Sequence, residues 1–167
     1  METIQIHGVK RENFGKKGSK DVRRNGLIPA IVYGGSEEAV HFALDEKELK
    51  PLLYTPNSYI VELDIDGTKQ LAVLREVQFH PVKDNPIHID FFRVLPGKPV
   101  AIDVPIRIVG NSEGVKLGGK LTVQKRKLRV SGLVEYLPDY LEIDITNLNI
   151  GKSIFVGDLK YDNLTLL

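Results

Sequence analysis

The sequence predicts a mainly β protein with two domains: an N-terminal β-barrel carrying one or two short helices, and a C-terminal all-β domain. Short apolar runs, many with period-two alternation, recur along the chain between Gly, Pro and Asp turn signals. Apolar residues with helical spacing occur only in the first hundred residues. The segment "LPGKPV" at 95–100 has the composition of a linker, so we expect domains at 1–94 and 95–167.

The first domain is predicted from several strands in chain order. These are "TIQIHGV" from residue 3, "LIPAIVY" from residue 27, "VHFAL" from residue 40, one strand on each side of Asp66-Gly67, and "IHIDFF" from residue 87. An Asp-Gly pair between two β runs is a strong signal for a tight hairpin. We therefore expect consecutive strands that pair through short connections.

Two segments of the first domain interrupt the β pattern. Residues 9–24 are rich in Lys and Arg, and Gly15 and Gly18 predict a flexible loop there. Residues 45–53, "DEKELKPLL", begin with the Asp-x-x-Glu signature of a capping box and place three leucines on one helical face. A short helix is expected over this segment, although Pro51 lies inside it.

The second domain is predicted to contain only strands and loops. Five branched residues of "VAIDVPIRIVG", from residue 100, alternate onto one face. A glycine-rich loop, "NSEGVKLGGK", follows from residue 111. Further strands are expected in "LTVQKRKLRVSGLV" from residue 121, "YLEIDI" from residue 140 and "SIFVGDL" from residue 153.

Composition excludes several classes of protein. The chain contains no cysteine, which excludes disulfides, thiol chemistry and zinc sites built on cysteine. No apolar run approaches the roughly 18 residues of a membrane-spanning helix, and the first residues lack the apolar core of a secretory signal. We therefore expect a cytoplasmic protein with no membrane contact.

Charge is concentrated in one segment. The net charge is only +1, yet residues 9–24 contain seven of the 23 Lys and Arg residues and only two acids. A local excess of positive charge on a mildly acidic protein suggests contact with a polyanion. The alternative is an ordinary solvated loop.

The histidines and acids near residue 85 allow a catalytic or metal-binding interpretation. His80, His88 and Asp90 could form a site of two histidines and one carboxylate. However, the sequence contains no G-x-S-x-G elbow, no H-E-x-x-H helix and no phosphate-binding loop of the G-x-x-x-x-G-K-[ST] type. We expect no enzyme activity, no cofactor and no small-molecule substrate, and a metal-dependent enzyme remains an alternative.

Strand alternation gives these residues a different role. His88 and Asp90 share one face of their strand, and Gln78 and His80 share a face of the preceding strand. If the two strands pair, the four side chains form a polar plaque of Gln78, His80, His88 and Asp90. Such groups can read base edges and ribose hydroxyls in the shallow minor groove of RNA, and an ordinary solvated sheet face is the alternative. Tyr33 could stack on a base or cap the core.

Two blocks of the sequence resemble a known family. "GKKGSKDVRRNGLIPAIVYGG" and "VQFHPVKDNPIHIDFFRV" resemble the bacterial large-subunit ribosomal proteins that bind 5S rRNA. "DVPIRIVGNSEGVKLGGKL" and "LPDYLEIDITNLNIGKSIFVGDL" are similar to the C-terminal domain of the long, two-domain form, known as general stress protein Ctc. The resemblance implies a non-enzymatic ribosomal component whose six-stranded barrel binds the magnesium-rich loop E region of 5S rRNA. Relatives of this fold also bind tRNA anticodons, so a tRNA-binding adaptor is an alternative.

The resemblance also implies which residues contact RNA. The family pattern and the basic segment together give the following set: Lys10, Arg11, Lys16, Ser19, Lys20, Arg23, Arg24, Tyr33, Arg75, Gln78, His80, His88 and Asp90. Two departures from the family pattern stand out. "KDVR" replaces the usual Arg-Arg-x-Arg, and the sequence ends at "LKYDNLTLL", where long members continue into a final strand and an acidic tail.

The second domain has a basic cluster of its own. It consists of Lys125, Arg126, Lys127 and Arg129. The cluster could contact 23S rRNA or neighbouring ribosomal proteins. Alternatively, these residues protect a strand edge from aggregation.

Overall fold

The computed structural model describes residues 2–55 and 57–167. Contacts divide the chain into two compact units, the first ending at Lys98 and the second running from Pro99 to Leu167. The boundary between them lies inside the segment predicted to be a linker. Among the described residues, no helix has the length and apolar character needed to cross a membrane.

The first unit is a closed barrel of six strands, and it confirms the predicted fold class. The strands are β1 (Thr3–Lys10), β2 (Leu27–Tyr33), β3 (Val40–Asp45), β4 (Ile60–Ile65), β5 (Thr68–Phe79) and β6 (Pro86–Arg93). Around the barrel they follow the order β1-β3-β2-β6-β5-β4. The β1–β4 and β2–β6 pairs are parallel, and the remaining pairs are antiparallel.

Alternating side chains fill the barrel interior. Ile6, Val32, Leu63 and Phe91 are fully buried in one hydrophobic cluster. Phe91 packs against Phe42, with 5.9 Å between the ring centroids. Because successive residues of a strand point to opposite faces, burying these residues directs their neighbours to the outside of the barrel.

Residues 15–24 form a helix, α1 (Gly15–Arg24), so the predicted loop in this segment is wrong. Lys and Arg are good helix formers, and two arginines in the last turn interact favourably with the helix dipole. Gly18 is buried against the preceding backbone, where a Cβ atom would lie 2.5 Å from the Asn13 carbonyl oxygen. Gly18 therefore permits close packing of α1 rather than flexibility.

A second helix, α2 (Glu46–Leu53), occupies the segment predicted to be helical. The Asp45 carboxylate caps it by accepting a 2.9 Å hydrogen bond from the Lys47 N–H. Glu48 does not complete the predicted capping box, because its carboxylate lies 3.4 Å from Nδ1 of His7. Pro51 falls near the end of the helix, and the buried Leu49 joins the barrel core.

The hairpin predicted at Asp66-Gly67 joins β4 to β5. Both residues have positive φ, 50° and 84°, which is the conformation of a type I′ turn. The Asp64 carboxylate accepts a hydrogen bond of 2.9 Å from the Gly67 N–H and so supports the turn.

The second unit contains a four-stranded sheet in the order β10-β8-β7-β9. Its strands are β7 (Val100–Val109), β8 (Lys127–Gly132), β9 (Leu141–Asp144) and β10 (Leu164–Leu166). The first half of β7 pairs with β8 up to Pro105, and the second half pairs in parallel with β9. The final strand β10 pairs with β8.

Three predictions for the second unit are wrong in detail. The glycine-rich loop contains a one-turn helix, α3 (Glu113–Lys116), because the Ser112 hydroxyl caps it. Residues 121–126 are not a strand: the β7–β8 ladder ends at the Pro105–Lys127 pair, and one further backbone hydrogen bond, of 2.9 Å from the Ile106 N–H to the Arg126 carbonyl oxygen, extends beyond it. Residues 153–159 form no strand either and include a short 3₁₀ turn (Val156–Asp158).

Candidate nucleic-acid interface

Strands β5 and β6 bring most of the polar plaque together on the outer face of the barrel. Their antiparallel register sets Gln78 opposite His88 and Glu76 opposite Asp90. Ile89 and Phe91, which alternate with His88 and Asp90, are fully buried in the core. The plaque therefore faces away from the core, on the side of the sheet that a ligand can reach.

His88 and Asp90 are in direct contact. Nδ1 of His88 lies 2.8 Å from Oδ1 of Asp90, and the two side chains are 31% and 26% exposed. Nδ1 itself is buried and, within the described residues, has no partner in hydrogen-bonding geometry. The two side chains are thus in contact, and among the described residues the hydrogen-bonding capacity of Nδ1 is unused.

His80 has a different environment at the end of β5. Its Nδ1 accepts hydrogen bonds from the backbone N–H groups of Val82 and Lys83, at 3.2 and 3.3 Å. In a neutral imidazole this leaves the proton on Nε2, which can donate to a ligand. Nδ1 is thus occupied by the turn, and no three His, Asp or Glu side chains meet as metal ligands in the described part of the chain.

Two register shifts shape this region. One lies between Leu74 and Glu76 and leaves Arg75 as the extra residue of β5. The other lies between Gln78 and Phe79, and it leaves Ile87 unpaired in β6. Bulges of this kind redirect side chains and are common beside binding sites.

Helix α1 lies on the same side of the barrel as the plaque. Nη1 of Arg23 donates a 3.3 Å hydrogen bond to the carbonyl oxygen of Ile87, the bulged residue next to His88. The exposed side chains of Lys16, Lys17 and Lys20 extend the positive charge along the helix. A row of cations therefore lies beside a face of directional polar groups.

Intramolecular hydrogen bonds and an ion pair restrain several of the basic side chains that are predicted to contact RNA. Nη2 of Arg11 donates to the Asn13 carbonyl oxygen at 3.0 Å and to Oγ of Ser19 at 3.4 Å, which connects β1 to α1. Burial, with a smaller effect from Arg23, lowers the pKa of Arg11. Arg24 lies 3.6 Å from Asp21, the acid that departs from the family pattern.

His41 is a further candidate that the sequence did not single out. On the outer face, register connects Asp90 of β6 to Ile31 of β2, and Ile31 to His41 of β3. Burial, together with the charges of Arg11 and His88, lowers the pKa of His41. In the sequence, the alternation of His41 with Phe42 indicates an outward side chain. Its position near the plaque follows from the strand order of the barrel, which the sequence pattern does not reveal.

Phe14 is a second such candidate, at the start of α1. Its ring is 58% exposed and lies 4.7 Å from the His41 ring, with an angle of 47° between the planes. An exposed aromatic ring beside cations can stack on a nucleobase. No periodic pattern in the sequence marks Phe14, since it lies between β1 and α1.

Tyr33 also belongs to the outer face. Register pairs it with Phe92 of β6, and the two rings meet edge to face at 5.8 Å. Tyr33 is not part of the hydrophobic core cluster. Of the two roles considered for Tyr33, the position of its ring therefore fits stacking on a ligand better than capping the core.

Comparison with known proteins identifies both units. The Ribosomal L25p family model matches residues 6–91, and the model for the C-terminal domain of ribosomal protein TL5 matches residues 99–167. The large ribosomal subunit protein bL25 of Porphyromonas gingivalis is 45% identical over the whole chain and is covered over 88% of its own length. The corresponding protein of Bacteroides fragilis is 42% identical over the whole chain, with 87% of its length covered.

Proposed function

The chain belongs to the ribosomal L25p family, and we propose on that basis that its barrel binds the loop E region of 5S rRNA. The relatives are named as proteins of the large ribosomal subunit and match the entire chain. The chain is accordingly a structural component of that subunit and not an enzyme, and it works on the ribosome in the bacterial cytoplasm.

The position of α1 beside the polar plaque is the observation that supports RNA binding most directly. Selective binding of nucleic acid needs cations that hold the phosphates and directional groups that read the bases. The hydrogen bond from Arg23 to Ile87 keeps both kinds of group on one side of the barrel. A loop with seven cations on the far side would offer only nonspecific attraction.

Each part of the interface has a role in this proposal. Cations of α1 bind the sugar-phosphate backbone, where they displace counterions. Gln78, His88 and Asp90 point at the shallow minor groove of the irregular duplex, and His80 offers its Nε2–H. Phe14, which contacts His41 of β3, and Tyr33 of β2 supply aromatic faces. Magnesium ions would accompany the RNA rather than bind the protein.

The proposed RNA-binding domain comprises residues 1–94. Its contacts are those expected from the resemblance: Lys10, Arg11, Lys16, Ser19, Lys20, Arg23, Arg24, Tyr33, Arg75, Gln78, His80, His88 and Asp90. To these we add Phe14 and His41 because of their place on the outer face. Residues 95–167 would contact 23S rRNA or neighbouring proteins.

A gel-shift experiment tests this proposal. The full chain is titrated against 5S rRNA, against the same RNA with loop E replaced by a regular duplex, and against tRNA. We expect the first complex to be roughly 10³-fold tighter than nonspecific binding, the lower end of specific nucleic-acid recognition. A fragment of residues 1–98, which spans the whole first unit, should retain that affinity.

The three RNAs separate the alternatives. Equal binding to 5S rRNA with and without loop E would contradict the proposed site. Preference for tRNA would favour the anticodon-binding alternative. Loss of 5S rRNA binding in the fragment, with its thermal unfolding intact, would assign the contact to the second unit instead.

A further inference from the structure

We propose that the second unit carries a binding groove for an extended protein segment in which aliphatic and acidic side chains alternate. The groove is lined on one side by β7 and β9, and on the others by residues 121–125 and residues 150–156. The identification of the partner as a neighbour in the large subunit rests on the proposed function. The chemistry of the groove is independent of that function.

The groove has an aliphatic floor. Ile106 and Ile108 of β7 and Ile143 of β9 line it, and the cavity holds about 500 Å³. This volume lies within the range of about 300–1,000 Å³ that is typical of ligand sites. The floor is therefore large enough to accept several apolar side chains at once.

The walls of the groove are also apolar, and they are exposed. Leu121 and Val123 line one wall, while Ile150 and Phe155 line another. Phe155 is 67% exposed and Ile150 60% exposed. A domain rarely leaves so many large apolar side chains of one depression in water unless a partner covers them.

The charge of the groove selects the partner. Lys120, Lys125 and Lys152 line it, and no Asp or Glu does. Among the described residues, none of these lysines forms an ion pair. Acidic side chains on the partner would complement them, whereas a basic segment would be repelled.

The backbone of residues 121–125 favours an extended partner. These residues are all exposed and belong to no strand. Within the described chain, their peptide groups form no backbone–backbone hydrogen bond. A peptide strand could pair with them and direct alternate side chains into the groove, as in β-augmentation. Every second side chain of such a strand would face the groove, so aliphatic groups would enter it, and the acids between them would lie at its rim, where the long lysine side chains can bend toward them.

The lining favours a protein over RNA as the occupant. RNA binding by stacking uses several aromatic rings, and Phe155 is the one aromatic residue among the groove residues, all of which are described. Aliphatic side chains offer nothing to ribose or phosphate. We therefore expect a protein segment in the groove, and the experiment below also tests for RNA binding.

Fluorescence anisotropy with the full chain tests the groove. The probes are a labelled peptide of about ten residues that alternates Val or Ile with Glu, the same peptide with Lys for Glu, and a single-stranded RNA of similar length. We expect the acidic peptide to bind at least about tenfold more tightly than the other two probes. Equal binding of both peptides, preference for RNA, or no binding would overturn the proposal.

Variants locate the binding. Lys125→Glu changes an exposed side chain and should weaken the acidic peptide about fivefold or more, by charge reversal. Lys160→Glu is the matched control, because Lys160 is exposed but does not line the groove. Unchanged binding in Lys125→Glu would overturn the proposal. Val123→Asp should act in the same direction, and its thermal unfolding reports whether it still folds.

The same samples separate this proposal from 5S rRNA binding. Lys125→Glu should leave the gel shift with 5S rRNA unchanged, since that contact is proposed for the first unit. His88→Ala should leave peptide binding unchanged. Either proposal can therefore fail while the other stands.

Discussion

His88 and Asp90 connect the chemistry of single residues to RNA binding. Within the described residues the buried Nδ1 of His88 has no partner in hydrogen-bonding geometry, and an unmade bond of this kind costs about 1–3 kcal/mol. Nδ1 lies 2.8 Å from Oδ1 of Asp90, so the two side chains hold each other's position on the outer face. A base edge or ribose hydroxyl that bonds either side chain would bind to a pair already held in place.

Removing either member of this pair should weaken RNA binding. We expect His88→Ala or Asp90→Ala to cost roughly 1–3 kcal/mol in 5S rRNA affinity, as for base-edge contacts, with little change in thermal unfolding. Because the two side chains touch, the double variant should cost less than the two single costs together. His7→Ala is the control, since His7 is an exposed histidine bound to Glu48 instead. A large fall in unfolding temperature would indicate a structural role.

His41 makes stability depend on pH. Burial, Arg11 and His88 lower the pKa of His41 in the folded state below the ordinary 6.5. In that pH range the unfolded chain binds more protons, so the folding free energy should weaken as pH falls through 6.5 toward the folded pKa. His41→Gln should reduce this loss when thermal unfolding is followed from pH 8 to pH 5. An identical pH profile in His41→Gln and in the wild type would contradict it.

Helix α1 is the element on which the interface depends. Gly18 allows the helix to pack against Asn13, and Arg23 ties its far end to β6. Basic side chains on a fixed helix keep the same spacing, whereas a loop would have to be ordered on binding. The positive charge is therefore preorganised next to the plaque.

Gly18→Val tests this packing. Its Cβ would lie 2.5 Å from a backbone oxygen, so either the helix or residue 13 must move. We expect a loss of roughly 1–3 kcal/mol in urea unfolding, the usual cost of overpacking, together with weaker 5S rRNA binding. Lys16→Ala, in the same helix, should weaken binding without changing unfolding. Wild-type stability of Gly18→Val would show that α1 is not held as described.

Local signals were sufficient for most elements of the first unit and for the plaque. Alternation predicts Gln78 and His80 on one face of β5 and His88 and Asp90 on one face of β6, and the β5–β6 pairing brings Gln78 opposite His88. Asp66-Gly67 predicts the hairpin between β4 and β5. The sequence does not predict helix α1, because Gly15 and Gly18 indicate flexibility, and the packing that requires Gly18 is a tertiary contact. The sequence does not identify His41 as a site residue, because its neighbours on β2 and β6 are distant in sequence. Alternation predicts a strand at residues 121–126 because it cannot reveal where the β7–β8 ladder ends, which is at the Pro105–Lys127 pair.

The proposed RNA binding depends on how charge is distributed over the protein. The net charge is +1, yet residues 9–24 contain seven cations, and one of them, Arg23, donates a hydrogen bond to Ile87 next to the plaque. Under the proposed function, attraction at a distance would therefore be directional and would turn this face toward the RNA.

Salt dependence measures this attraction. If five or six phosphates are neutralised, the logarithm of affinity for 5S rRNA should fall against the logarithm of salt concentration with a slope of about −4 to −5. Each lysine of α1 replaced by Ala should reduce the slope by about one. A slope near zero would contradict phosphate binding by this helix.

The parallel pairing of β2 with β6 has a consequence for synthesis on the ribosome. Residue 30 pairs with residue 89, so the seam of the barrel joins strands nearly sixty positions apart. A nascent chain cannot close that seam before its ninetieth residue has left the exit tunnel. Until then β2 is an apolar strand with one open edge, prone to mispairing. Under the proposed function, a newly made copy can therefore bind RNA only after β6 has emerged from the tunnel.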